Sequence, residues 1–212
     1  MVDKFFKEMP PSRREQLERY CHLLREKNRV LNLISRRQED KIFSHHILPS
    51  LAVGVQLPFP AGGNALDVGT GGGLPGIPLA IAFPECHFTL LDSIGKKIRA
   101  VDEFVADLGL GNVDTHWGRV EGLPPTQKFN VIIGRAVAAL PQFLPWTWPR
   151  IKDPGPDVDG GVTHGVLYLS GGTIPSGWKD SEFPEPQIFP LTEIFENLHE
   201  ADKWIAYFEK RL

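Results

Sequence analysis

The chain has 212 residues, 42% of them hydrophobic, and a net charge of −3. That is long enough for one domain with a full core and a helical elaboration. No apolar run nears the roughly 18 residues that would span a bilayer, the start MVDKFFKEMPPSRREQ lacks a signal peptide's apolar core, and two isolated cysteines, Cys21 and Cys86, do not make a disulfide framework. A cytoplasmic protein with reduced thiols is expected. Charge is unevenly spread. Residues 1–50 hold eleven Lys/Arg against seven Asp/Glu, an excess of four positive charges that leaves −7 for the remainder. A basic face on an acidic protein suits a phosphate-binding surface. The same residues would equally suit solvated, mixed-charge helix faces.

In chain order, residues 3–8 read as a short helical lead-in before Pro10-Pro11. Ser12-Arg13-Arg14-Glu15 matches a capping box, with Ser12 as N-cap. Leu17, Tyr20, Leu24 and Leu31 follow at helical spacing, and the helix is expected to reach about Asn28. Residues 32–35 read as a turn, and helices are expected over 38–45 and 46–57. No strand is needed before residue 65. Residues 1–60 are therefore a helical cap, and Pro58 to Gly63 a linker into a second unit over 61–212.

From residue 65 strands and helices alternate, the signature of a mostly parallel sheet with helices on both faces. Strands are expected at 65–68, 87–91, 112–116, 129–133 and 166–169. The last two, at 187–191 and 203–208, are expected to form a hairpin that makes seven. Helices are expected at 76–83, 96–108, with Gly109 as C-cap, and 136–144. Residues 145–165, rich in Pro and Gly, read as a long loop.

The chain is organised around ALDVGTGGGLPGIPLAIAFPECHFTLLD, Ala65 to Asp92. Gly69, Gly71 and Gly73 permit positive φ and keep Cβ atoms away from a ligand. Asp92 ends the next strand, 21 positions after Gly71, where a carboxylate takes ribose hydroxyls. Asp67 either caps and orients the loop or faces the ligand. The spacing D-x-G-x-G-x-G differs from the dinucleotide pattern G-x-G-x-x-G, which argues against an NAD-type oxidoreductase. It resembles motif I of the class I S-adenosylmethionine-dependent methyltransferases, so the cofactor expected is S-adenosyl-L-methionine. Ligands of open α/β sheets bind beyond the carboxyl ends of the strands. The loops holding Val120-Glu121 and Arg135 should therefore converge on the glycine loop. His45 and His46 have no ligand set around them, so no metal is expected.

DVGTGGGLPGIPLAI, FTLLDSIGKKIR and IIGRAVAAL resemble the bacterial small-subunit ribosomal RNA guanine-N7 methyltransferase G family, also called glucose-inhibited division protein B. YCHLLREKNRVLNLIS and HHILPSL resemble its helical N-terminal segments. The resemblance implies a class I methyltransferase, Rossmann-like in fold, that methylates N7 of one guanine in 16S rRNA. It implies that Gly69, Leu74, Val120, Glu121 and Arg135 line the cofactor site, and suggests Asp92 for the ribose. Guanine N7 bears a lone pair and no proton, so no general base is required, and an Arg that donates only to O6 is compatible with attack. Arg135 is the catalytic candidate. Arg36, Arg37, Lys41 and His46 are candidates for RNA phosphates. The partner implied is 16S rRNA or the small ribosomal subunit, with no membrane, and a monomer is expected. Two positions depart from the family: Pro49 replaces an Asp, and Ser170 replaces a Lys. They leave open a non-catalytic, cofactor- and RNA-binding homologue. A methyltransferase acting on another substrate class is the other alternative, against which the basic cap argues.

Overall fold

The computed structural model describes residues 2–57, 59–154, 164–173, 182–194 and 202–211. Seven strands form one sheet in the order β3-β2-β1-β4-β5-β7-β6. They are β1 (Asn64–Val68), β2 (His87–Asp92), β3 (Val113–Trp117), β4 (Val131–Arg135), β5 (Gly165–Gly171), β6 (Gln187–Pro190) and β7 (Lys203–Glu209). The first five are parallel. β7 lies between β5 and β6 and runs antiparallel to both. The expected hairpin pair thus forms, with β6 as the edge and the later strand inserted.

Alternation along each strand feeds two cores, one per face, as a period of two requires. Ala65, Phe88, Leu90, Val131 and Ile133 face one core. Leu66, Val68, Leu91, Ile132 and Val166 face the other. The first core is continuous with the N-terminal helices through Leu17, Tyr20, Leu24, Ile47 and Leu51. These helices are α1 (Val2–Glu8), α2 (Pro11–Leu31) and α3 (Leu48–Gln56). α4 (Gly76–Ala82) and α5 (Gly95–Leu108) pack on the same face. α6 (Leu140–Thr147) packs on the other through Leu140, Phe143 and Leu144.

Several local expectations shift. Ser12 does not cap α2: Pro10 is the N-cap, Pro11 opens the helix, and no side chain caps it. The fixed φ of proline suits the first helical position, so the start lies ahead of the Ser-x-x-Glu pattern. α2 also continues past Asn28, because Asn28 turns inward. Its Oδ1 accepts from the Ile34 amide at 2.8 Å and its Nδ2 donates to Glu39. The helix ends instead at Asn32, which is left-handed with φ 48°. The helix expected over 38–45 is a 3-10 turn, Arg36–Lys41, followed by a π-turn, Phe43–Ile47.

The β4 strand runs two residues beyond its expected end, so Arg135 is its last residue rather than part of the following loop. Gly134 sits in the strand because a side chain there would run into the Phe143 ring. The next helix starts late. Ala136 is left-handed, with φ 52°, and α6 begins only at Leu140. It runs to Thr147 and so takes in residues 145–147, which read as loop in the sequence.

Candidate cofactor and active site

The carboxyl ends of β1, β2, β3 and β4 meet where the strand order reverses beside β1. The glycine loop is tied down from three sides. Gly69, Gly71 and Gly73 have φ of 71°, 60° and 92°, values that an L side chain resists. The amides of Gly69 and Thr70 donate to Leu91 O at 2.8 and 2.9 Å, which hooks the loop onto the end of β2. Asp67 Oδ2 accepts from Thr70 Oγ1 at 2.6 Å and from the Gly76 amide at 3.0 Å, joining both ends of the loop. Above it, Tyr20 of α2 donates its hydroxyl to Gly72 O at 2.6 Å. The cap thus holds the loop directly.

Asp67 is fully buried, and its Oδ1 has no hydrogen-bond partner among the described residues. Burial raises its pKa to about 6, against the Thr70 and Gly76 hydrogen bonds and the Arg135 charge, which lower it. The folded state therefore binds the extra proton between the ordinary value of 3.8 and about 6. Stability from this group is present below pH 4 and is lost as pH rises through 6. In Asp67→Asn the amide oxygen takes over the place of Oδ2, and nothing titrates. Its stability relative to the unsubstituted protein is expected to improve by about 2–3 kcal/mol between pH 4 and pH 7. Urea unfolding of both proteins at the two pH values measures this, and parallel pH curves would refute it.

Asp92 is also buried. Its Oδ2 accepts from the Gly71 amide at 3.0 Å and its Oδ1 from the Ile94 amide at 2.9 Å. Lys97 Nζ stands 4.0 Å away. The carboxylate therefore braces the glycine loop and the turn after β2 at once. A cavity of about 210 Å³ opens beside it, lined in part by Gly69, Asp92, Ser93, Val120, Glu121 and Trp146. A Cβ on Gly69 would come within 2.7 Å of Val137, another lining residue. A roomier cavity between Trp148, Tyr207 and Arg211 lies at the amino ends of the parallel strands, the wrong end for a ligand of this architecture.

The cavity gathers Gly69, Asp92, Val120 and Glu121 as expected. Gly71 and Gly73 shape the loop without lining it, and Leu74 is buried beside it. Arg135 is not among the residues that line this cavity, although its charge reaches Asp67 beneath the glycine loop. Its Nη2 donates to His46 Nδ1 at 2.7 Å and to His45 O at 3.3 Å. His46, expected at an RNA phosphate, is instead 5% exposed and packed against that guanidinium. Burial, then the Arg135, Lys203 and His45 charges, push its pKa down to about 3. It is a neutral ring, so it offers a phosphate no charge. Arg36, Arg37 and Lys41 do lie exposed on the turn leading to it.

The lining residues beyond the expected set include Ser93, Arg119, Val137 and Trp146. The first two flank expected site residues, which is the only signal the sequence holds for them. Val137 is brought in by the left-handed Ala136. Trp146 falls in a stretch that reads as loop and offers no signal. Of the two unusual positions, Pro49 is buried near the start of α3, and Ser170 is half-buried near the end of β5. Among the described residues no three His, Cys, Asp or Glu cluster as a metal site. None of the described helices is long and apolar enough to cross a membrane.

The strand order, the acid-first glycine loop and the cavity at the β1–β4 switch point together define a class I S-adenosylmethionine-dependent methyltransferase. Solved structures agree on the fold. An S-adenosylmethionine-dependent methyltransferase from Aquifex aeolicus aligns with a TM-score of 0.57 at 14% identity, over 80% of this chain and 92% of that one. A mutant of MtNAS in complex with S-adenosylmethionine aligns with a TM-score of 0.58 at 15% identity, over 94% of this chain and 76% of that one. The sequence goes further. Residues 13–156 match the family of rRNA small subunit methyltransferase G. The chain is 38% identical over 196 residues to ribosomal RNA small subunit methyltransferase G of Cytophaga hutchinsonii, covering 92% of each. It is 38% identical over 207 residues to that of Christiangramia forsetii, covering 98% of this chain and 95% of the relative. The chain belongs to the rRNA small subunit methyltransferase G family.

Proposed function

We propose that this protein transfers a methyl group from S-adenosylmethionine to N7 of a guanine in 16S rRNA. The observation that carries the reading is full-length kinship with that family, on a chain whose glycine loop, Asp92 and Val120-Glu121 form one cavity. The residues suit the cofactor. The glycine backbone admits its amino-acid end, Asp92 faces the ribose, and Val120 with Glu121 bounds the adenine. When bound, the cofactor supplies an electrophilic methyl group on a sulfonium.

The rest of the task falls to the chain. N7 attacks with its own lone pair, so the protein needs no base to remove a proton. Its work is orientation: presenting the unstacked base to the methyl group and excluding other alignments. Arg135, at the end of β4, is the group proposed to grip the base, through O6, which leaves N7 open. The exposed cations Arg36, Arg37 and Lys41 are proposed to hold phosphates beside it, so that the cap selects the RNA. A monomer acting in the cytoplasm is the accompanying expectation.

The test is methyl transfer by the purified protein to small subunits and to naked 16S rRNA, with N7-methylguanosine mapped by cleavage at the modified base. One modified guanine supports the reading. Cofactor binding without transfer to either RNA would mark a non-catalytic homologue. Replacing Arg36 and Arg37 together with Ala is expected to weaken RNA binding and to lower the slope of log K against log salt by about 2, one unit per lost phosphate contact. An unchanged slope would put the RNA elsewhere.

A further inference from the structure

We infer that His46 is the positioning residue for Arg135: its imidazole holds the guanidinium, at the mouth of β4, in the attitude that methyl transfer needs. This rests on the reading of Arg135 as the residue that meets the base.

The connection is long-range and specific. Residues 45 and 46 are some 90 positions from Arg135, yet both bond the same nitrogen, Nη2, one through a backbone carbonyl and one through the ring. Both come from the π-turn Phe43–Ile47, a backbone form that is rare and concentrated at functional sites. The turn is anchored. Ile42 and Ile47 on either side are fully buried, the Leu48 amide closes it onto Phe43 O, and Ser50 Oγ donates to His46 O at 2.6 Å. The ring therefore has little freedom to follow a moving guanidinium. It sets the guanidinium's place instead.

The chemistry of the pair is one-directional. Arginine has only donors, so Nδ1 of His46 must accept, and the ring proton then sits on Nε2. Nε2 is buried with no partner among the described residues. A carboxylate at this position would also accept from Arg135. It would neutralise the guanidinium and draw it out of reach of a base oxygen. A neutral acceptor fixes direction and leaves the positive charge whole. Burial, helped by the charges of Arg135, Lys203 and His45, keeps the ring neutral across the working pH range.

Three variants test this. Asn places its side-chain oxygen near the position of Nδ1, whereas Gln carries it on towards Nε2, and Leu has no acceptor. His46→Leu and His46→Gln are expected to lose about 30- to 100-fold in kcat, with KM for S-adenosylmethionine changed less than about threefold, since His46 is not among the residues that line the cofactor cavity. His46→Asn should keep kcat within about fivefold of the unsubstituted protein. Adding His46→Leu to Arg135→Ala should slow the enzyme no further, because the two act as one unit. Equal activity of the Asn and Gln variants would overturn the assignment, and that comparison stands even if the Leu variant does not fold. So would multiplying losses in the double variant, or normal kcat in His46→Leu while Arg135→Ala is dead. Full activity of Arg135→Ala is the distinguishable failure: it removes the reading of the site, and this role with it.

Discussion

Arg135→Ala is expected to cut methyl transfer to the small subunit by about three orders of magnitude while the protein still folds and binds S-adenosylmethionine. The rate effect follows from where the residue sits. A guanidinium at the end of β4, held by His45 O and His46 Nδ1, is a donor fixed before the substrate arrives. Removing one such preorganised donor typically costs 10²–10³ in rate. Loss of the alignment of the base adds to that. The effect on stability should be small by comparison. The strand keeps its backbone pairing to β5 through Leu169, and truncation leaves a neutral imidazole without its donor, at about 1–2 kcal/mol. For a chain of this length that is a fall in Tm of a few degrees. A tritium transfer assay with purified subunits, beside a thermal melt and calorimetric titration of the cofactor, measures all three. Near-normal transfer would take Arg135 out of the mechanism.

Asp92→Ala is expected to weaken S-adenosylmethionine binding about 100-fold. The carboxylate does two things in the structure. Its two oxygens take the Gly71 and Ile94 amides, so it holds the left-handed glycine loop against the turn after β2. It also faces the cavity, where it is the proposed partner of the ribose hydroxyls. Charge-assisted hydrogen bonds of this kind contribute about 1.5–3 kcal/mol each, and about 2.7 kcal/mol is a hundredfold in affinity. Isothermal titration with S-adenosylmethionine gives the number. Asp92→Asn separates the two roles: it retains one acceptor and is expected to fall between the parent and the Ala variant. A loss under threefold in Asp92→Ala would move the ribose away from this side chain.

The same titration bears on the glycine loop. Gly69 combines φ of 71° with a Cβ position 2.7 Å from Val137. Its absent side chain is therefore part of the cavity wall, for both conformational and steric reasons. The loop's rigidity has a second source in the cap. Tyr20 reaches across 52 positions to the Gly72 carbonyl, so the N-terminal helices brace the glycine loop as well as carrying the proposed RNA face.

Much of this was legible in the residue order, and the reason is locality. Glycine at 69, 71 and 73 announces a backbone that L side chains resist, whatever surrounds it. Alternating apolar positions announce buried strands, and the spacing from Asp67 to Asp92 announces a strand–loop–helix–strand unit, because each depends on near neighbours. Family membership is legible for the same reason, as the motif is contiguous. Tertiary structure alone decided the remainder. Whether Asn28 ends α2 or folds inward depends on Glu39 and Ile34. Whether Gly134 breaks β4 or continues it depends on the Phe143 ring packed over it. Trp146 reaches the cavity from α6, in a stretch whose Pro and Gly content reads as loop. His46 is the sharpest case. As a residue type it reads as a surface cation near other cations. Burial against Arg135 makes it a neutral acceptor. Ionisation and hydrogen-bond direction follow from what lies within a few ångströms, and here those groups come from positions 45, 135 and 203, which only folding brings together.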